Sequence, residues 1–382
     1  MNLAALRDLL IRWANINSGS DHLVGLDLMR SALHAEFARL PHTLLESVSL
    51  SDTSAQALRI CQRPTAPIQI LFSGHYDTVY GADHSFQVCM DLDANTLTGP
   101  GVADMKGGIV VMLAALQTLE ASPHRSQIGW EVILSPDEEI GSTGSAELLA
   151  EAAKRHHFGL VFEPCRENGN LVKSRKGTGI FVFTVHGRSA HAGRDPEAGR
   201  NAILALSEFL LQADPAVHVL PGVMINMGRI EGGGAVNVVP DFAQAEANIR
   251  ITRVADEALV LKKLREIAEP INQREGYRVE ITGGFNRPPK ETTPAEEKLF
   301  AAWQACGREL GVELDWQHVG GGSDGNLLSA AGLPNLDGLG PRGGGLHSPT
   351  EWVDLPSIVQ RAQIAARFLE GVAAGTIAVP QK

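Results

Sequence analysis

Residues 68–79 read IQILFSGHYDTV, an apolar run of strand length that breaks at its carboxyl end into a histidine and an aspartate two residues apart. A mostly apolar run of this length, broken only by Gln69 and Ser73, suits a strand buried on both faces of a sheet. The pattern returns downstream: WEVILS (130–135) runs into SPDEEIGS (135–142), and GLVFE (159–163) ends on Glu163. Helix-length segments from Met105 to Glu120 and near 144–155 fall between these runs. Strand and helix in alternation predict an α/β layer with a largely buried sheet.

From about Lys176 the texture changes. IFVFTVHG (180–187), VMINMGRI (223–230) and AQAEANIRI (243–251) alternate as half-exposed strands do, and RVEITGG (278–284) follows them. The helical segments 201–212 and 256–273 lie between these strands. This predicts an inserted α+β domain with helices on one face of its sheet. Residues 1–175 and 285–382 then form one domain around an insert at 176–284, and the second part carries helices at 295–310 and 358–373. A chain of 382 residues exceeds what one hydrophobic core usually supports, in keeping with two domains.

Composition narrows the function classes. A formal charge of −11 without a dense Lys/Arg block disfavours nucleic acid and anionic membranes as partners. No apolar stretch is long enough to span a bilayer, and Arg7, Asp8 and Arg12 interrupt the first helical segment before it reaches signal-peptide length. Cys61, Cys89, Cys165 and Cys306 are scattered without CxxC pairs, which predicts reduced thiols in the cytoplasm.

The strand ends carry the chemistry. His75 and Asp77 leave one face of the chain, so the carboxylate can hold the imidazole's second N–H as metal-binding histidines require; a loop histidine beside a turn aspartate is the plain alternative. Asp104 in GPGVADMKGG sits before a helix, where an aspartate is ordinarily an N-cap, although the flanking glycines allow the close approach that a shared ion needs. Asp137, Glu138 and Glu139 in a row are costly unless cations neutralise them, and otherwise form an exposed acidic turn. If one glutamate is a ligand, its neighbour can act on water as general base. Glu163 at a strand tip and His347 in a Gly/Pro-rich loop are weak signals singly.

Jointly they are stronger, because ligands of α/β sheets collect at the carboxyl ends of strands. Two histidines and at least three carboxylates suffice for two ions if one carboxylate bridges. Imidazole with carboxylate favours zinc over magnesium.

SGHYDTV, GPGVADMKGG, SPDEEIGS, VFEP, GRSAHAG, EGGGAVNVVPD and LHSPTEW occur in this order. Together they resemble the two-zinc metallohydrolases that include glutamate carboxypeptidase, aminoacylase, acetylornithine deacetylase and succinyl-diaminopimelate desuccinylase. GGGSDGN (320–326), with the paired glutamates and VFEP, looks closest to the glutamate carboxypeptidase branch. The resemblance implies a zinc-peptidase catalytic domain with a mixed sheet flanked by helices, and a lid and dimerisation domain inserted in it. It implies that Asp104 bridges two Zn2+ ions (Co2+ being a possible substitute), that His75 and Glu163 complete one site, and that Glu139 and His347 complete the other. Asp77 would orient His75, and Glu138 would be the general base for a metal-activated water. His191 would reach the active site of the partner in a homodimer, while Asn237, Arg250 and, less directly, Arg287 would meet the free carboxylate of a small peptide or N-acyl amino acid.

The expected activity is cleavage of an amide bond next to a C-terminal amino acid. An N-acyl amino acid deacylase of the same mechanism is the near alternative. A non-catalytic binding protein would be marked by loss of Glu138 or a ligand, and neither is missing. A phosphate-binding protein would show GxxxxGK[ST], which is absent.

Overall fold

The computed structural model describes residues 1–381. The chain divides into two compact units, residues 1–174, 292–319 and 323 onward in the first, and Arg175–Glu291 with Gly320–Gly322 in the second.

The first unit is built on an eight-stranded sheet in the order Leu44–Ser49, Gln56–Gln62, Ile128–Ser135, Ile68–His75, Phe158–Val161, Asn335–Asp337, Leu171–Arg175, Trp316–Val319. Ile68–His75 is central and parallel to both of its neighbours, whereas Gln56–Gln62 is antiparallel to Ile128–Ser135, so the sheet is mixed. Along the central strand Ile70 and Phe72 enter one core, with Ile109 and Leu113 of the helix Lys106–Glu120 and Phe368 of the helix Leu355–Ala373. Leu71 enters a second core on the other face, with Leu149 of the helix Ala146–Ala153 and Leu328 of the helix Asp324–Ala330. Apolar contact on both faces is why the strand is largely apolar without strict alternation, and each such buried apolar side chain contributes about 1.5–3 kcal/mol. Phe158–Val161 is shorter than the apolar run, so Glu163 lies two residues beyond the strand. Pro164, which has no N–H, follows it.

A smaller four-stranded sheet in this unit pairs Gly343–Gly344, Trp352–Asp354, Thr96–Thr98 and Met90–Asp93 in that order. Its strands are two to four residues long, too short to show a period. Thr96–Thr98 leads into the loop of Asp104, and the turn between Gly343–Gly344 and Trp352–Asp354 carries His347. The helix Pro294–Glu309 opens on a capping box in which Thr293 and Glu296 satisfy one another's backbone N–H.

The second unit is an antiparallel sheet in the order Met224–Gly232, Phe242–Ile251, Gly177–His186, Arg278–Arg287. Phe181, Phe183 and Val185 alternate into its core with Leu206 and Phe209 of the helix Ala202–His218 and Leu264 of the helix Asp256–Asn272. Among the described residues no helix is long and apolar enough to cross a membrane.

Candidate active site

Parallel pairing sets His75 opposite Ser135, so the strand ends at 75 and 135 open on the same edge of the first unit's sheet. The cluster assembles there. His75 Nε2 lies 3.2 Å from Asp104 Oδ1 and 3.7 Å from Glu163 Oε1. His347 Nε2 lies 3.4 Å from Asp104 Oδ2 and 3.0 Å from Glu139 Oε2. Each carboxylate oxygen of Asp104 therefore faces a different histidine, with Glu163 on one side and Glu139 on the other. Ligand atoms of His75, Glu138 and Glu163 fall within 4.8 Å of one another, as do those of His75, Asp104 and Glu139. His75, Asp104, Glu138 and Glu163 are buried, while the side chain of His347 is 56% exposed and leaves the cluster open to solvent on its side.

Asp77 sits behind the cluster, fully buried. Its Oδ1 is 3.2 Å from His75 Nδ1 and accepts the backbone N–H of Glu138 at 3.2 Å. Its Oδ2 accepts the N–H of Glu139 at 3.1 Å and the hydroxyl of Ser20 at 2.8 Å. His75 Nδ1 also lies 3.1 Å from the backbone carbonyl oxygen of Asp77, so this residue lies against the imidazole with both its carbonyl and its carboxylate, and the carboxylate fixes the turn that presents both glutamates.

Asp137 does not join its two neighbours. It turns inward to accept the N–H of Gly144 at 2.8 Å, the N–H of Ser145 at 3.2 Å and the hydroxyl of Ser145. The row of three acids is split between a structural clamp and the site. The glycines near Asp104 also serve another purpose than approach to an ion. A Cβ on Gly108 would stand 1.9 Å from the carbonyl oxygen of Phe162, so that glycine lets the helix Lys106–Glu120 press against the segment leading to Glu163. Asp104 itself precedes the helix by one residue more than an N-cap, because Met105 occupies that position.

Glu351, four residues beyond His347 and buried, adds a carboxylate that no spacing in the sequence marks. Its side chain accepts the backbone N–H groups of Gly101 at 3.1 Å, Ala103 at 2.9 Å and Asp104 at 3.1 Å, and the hydroxyl of Tyr80 at 3.1 Å. Burial and the nearby Asp104 push the Glu351 carboxyl up to about 7.

The electrostatics ask for positive charge. Burial and the neighbouring Asp104 raise the Glu139 carboxyl to about 7. Burial works against a charged His75, but hydrogen bonds to Asp104 and Asp77 outweigh it and hold its imidazole well above the ordinary value. Hydrogen bonds to Asp104 and Glu139 lift His347 to about 11. Burial opposes ionisation of Asp104, yet hydrogen bonds from the two histidines pull its carboxyl well below the usual range. Both imidazoles are thus biased towards the charged form among the carboxyl groups of Asp77, Asp104, Glu138, Glu139 and Glu163, and imidazole with carboxylate is a donor set that suits divalent transition metals.

The remaining candidates lie in the second unit. His191, exposed, pairs with Val238 and accepts the N–H of Gly193 on Nδ1 at 3.1 Å. The carbonyl of Asn237 accepts the N–H of Ala192 at 2.9 Å, so His191 and Asn237 are neighbours. Arg250 and Arg287 flank Thr178 on adjacent strands in one cross-strand row. Arg250 donates to the carbonyl of Gly320 at 2.6 Å, and Gly322 adjoins Arg287 closely enough that a Cβ there would meet Arg287 Cδ at 2.8 Å. Strand Gly177–His186 separates these pairs: Arg250 is opposite Thr178 and Phe242 opposite His186, eight residues or roughly 27 Å along. Within one copy, Asn237 and Arg250 do not converge on one carboxylate.

The model of peptidase family M20/M25/M40 matches residues 71–371. Carboxypeptidase G2 of Pseudomonas sp. (strain RS-16) is 29% identical over 373 residues, covering 96% of this chain and 89% of that protein. Succinyl-diaminopimelate desuccinylase of Acidovorax ebreus (strain TPSY) is 27% identical over 334 residues, covering 82% and 83%. Among solved structures, aminopeptidase PepT of Bacillus cereus ATCC 10987 superposes with a TM-score of 0.79 at 19% identity, covering 98% of this chain and 99% of that one. YXEP of Bacillus subtilis, described as a dinuclear metal-binding peptidase of the M20 family, gives 0.71 at 15% identity, covering 97% and 98%. The two histidines and the buried carboxylates at the sheet's edge thus lie in a chain that belongs to peptidase family M20/M25/M40, a family of hydrolytic enzymes acting on peptide and related amide bonds.

Proposed function

We propose that the protein is a two-zinc carboxypeptidase that cleaves the amide bond next to a C-terminal amino acid. The observation that carries this reading is Asp104, whose two oxygens face His75 and His347 with Glu163 and Glu139 beyond them. His75, Asp104 and Glu163 would hold one cation, and Asp104, Glu139 and His347 the other. The cations supply Lewis acidity, stabilising charge that develops on the scissile carbonyl oxygen.

Glu138 accepts a proton from the attacking water and returns it to the leaving nitrogen, a role open to a buried carboxylate that is not needed as a ligand. Asp77 keeps Glu138 aimed by fixing its backbone. The arginine pair Arg250 and Arg287 offers guanidinium groups to the substrate's free carboxylate. His191 and Asn237, held at the far end of the same unit, serve a second copy of the chain, with His191 donating to the developing oxyanion.

A homodimer is supported by the edge strand Met224–Gly232, with exposed Met224 and Ile230, and by exposed Leu204 and Leu211 on the helix Ala202–His218. Four free cysteines fit a reducing cytoplasm.

A deacylase acting on N-acyl amino acids could use the same groups of this chain, and similarity to succinyl-diaminopimelate desuccinylase keeps it as the second reading. A hydrolysis panel of dipeptides, acyl glutamates and N-succinyl and N-acetyl amino acids on metal-replete protein separates them. Preference for dipeptides or acyl glutamates supports the carboxypeptidase; preference for N-succinyl or N-acetyl amino acids replaces it with the deacylase.

A further inference from the structure

We propose that Asp324, in the Gly-rich stretch 320–326, is a positioning residue that clamps the loop presenting Glu138 and Glu139; the proposal rests on the reading of these glutamates as base and ligand. Asp324 is 1% exposed. Its Oδ2 accepts the hydroxyl of Ser135 at 2.6 Å and its Oδ1 that of Ser142 at 2.5 Å. The two serines bracket the loop 136–141, so one carboxylate grips both of its ends.

An aspartate in the first turn of a helix ordinarily serves that helix. Here Ser323 caps the helix, its hydroxyl accepting the N–H of Gly325, and the oxygens of Asp324 are committed elsewhere. Ser135 is paired with His75 in the sheet and its hydroxyl also lies 3.3 Å from the carbonyl of Gly74, so the clamp reaches the exits of both central strands. Ser142 is held at φ +54°, a left-handed conformation that favours glycine, with its N–H bonded to Asp137 O at 2.7 Å. A serine at a position where glycine fits better points to its hydroxyl as the group that matters.

A carboxylate suits two hydroxyl donors because both of its oxygens only accept. An amide would set one N–H against a hydroxyl and force a rotation. The loop would then keep its fold while the glutamates shift, and a displacement of about 1 Å near reacting groups costs on the order of 100-fold in rate.

Ser142→Gly cuts the clamp while placing the favoured residue at a left-handed position, so folding is spared. Asp324→Asn is the companion variant. Both should lower kcat roughly 10- to 100-fold with KM changed less than about threefold. In each, the visible spectrum of the Co2+-loaded protein should change, since Glu139 is displaced. The double variant should be no worse than the more severe single one, as coupled sites are not additive. Wild-type kcat and Co2+ spectrum in Ser142→Gly, or losses that multiply in the double variant, would overturn the clamp and leave the metal chemistry standing. A wild-type protein that binds no Co2+ would overturn both readings together.

Discussion

Glu351 Oε1 accepts the backbone N–H of Asp104 at 3.1 Å, so the carboxylate placed between the two histidines is itself set by a second, buried carboxylate. The same side chain holds Gly101 and Ala103, leaving three backbone donors that depend on it. An unsatisfied buried donor costs about 1–3 kcal/mol. Glu351→Ala should therefore destabilise the protein by roughly 3 kcal/mol or more in urea unfolding, and Glu351→Gln by less. A change within about 0.5 kcal/mol for the alanine variant would show that the loop of Asp104 is held by other means.

The neighbours Glu138 and Glu139 should separate cleanly. Glu138→Gln is expected to keep its metal and lose activity by about 100-fold or more, the usual range for removing a general base. Glu139→Gln is expected to lose one ion. Metal analysis of the two variants decides, and loss of metal from Glu138→Gln instead would exchange their roles.

Charge regulation gives a pH dependence with a definite sign. His347, lifted to about 11 in the metal-free protein, contributes stability that is present below its unfolded value near 6.5 and lost as pH rises towards 11. Glu139, raised to about 7, works in the same direction between about 4.5 and 7, because the folded state holds a proton that the unfolded state has released. His75, also raised, adds to the trend above its unfolded value. These groups should make metal-free protein less stable at pH 8 than at pH 6, and the increase in Tm on adding zinc should be larger at pH 8. Cation binding should release protons, measurable by titration calorimetry in buffers of different ionisation enthalpy. A zinc effect that is equal or greater at pH 6 would contradict the assignment.

Much of this was legible in the residues themselves. The runs at 68–73 and 130–135 became adjacent parallel strands, and what followed each of them became the cluster. The signal was strong because burial on both faces keeps polar residues few inside the strands, Gln69, Ser73 and Glu131 among them, and the cluster begins where the strands stop. The small sheet that carries the approaches to Asp104 and His347 was not legible, since strands such as Thr96–Thr98 and Trp352–Asp354 are shorter than any periodic pattern. Glu351 and Asp324 were missed for a related reason. A carboxylate whose partners are backbone N–H groups or two distant serines leaves no local spacing to read. The inward turn of Asp137 was not legible, because three acids in a row carry no information on which one turns inward.

Sharing of the site between copies can be tested by mixing inactive variants. His191→Ala and Glu138→Gln, combined under conditions that allow subunit exchange, should regain up to one working site per heterodimer. That site would pair an intact Glu138 with the partner's intact histidine. Exchange without recovery, or full activity in a monomer, would confine His191 to another role.

On the proposed mechanism, hydrolysis depends on two cations held by His75, Asp104, Glu139, Glu163 and His347. The protein can be stripped with a chelator and zinc or cobalt titrated back while hydrolysis of the best substrate from the panel is followed. Activity should be absent at the start and saturate near two equivalents per chain. Full activity in the stripped protein would contradict the claim.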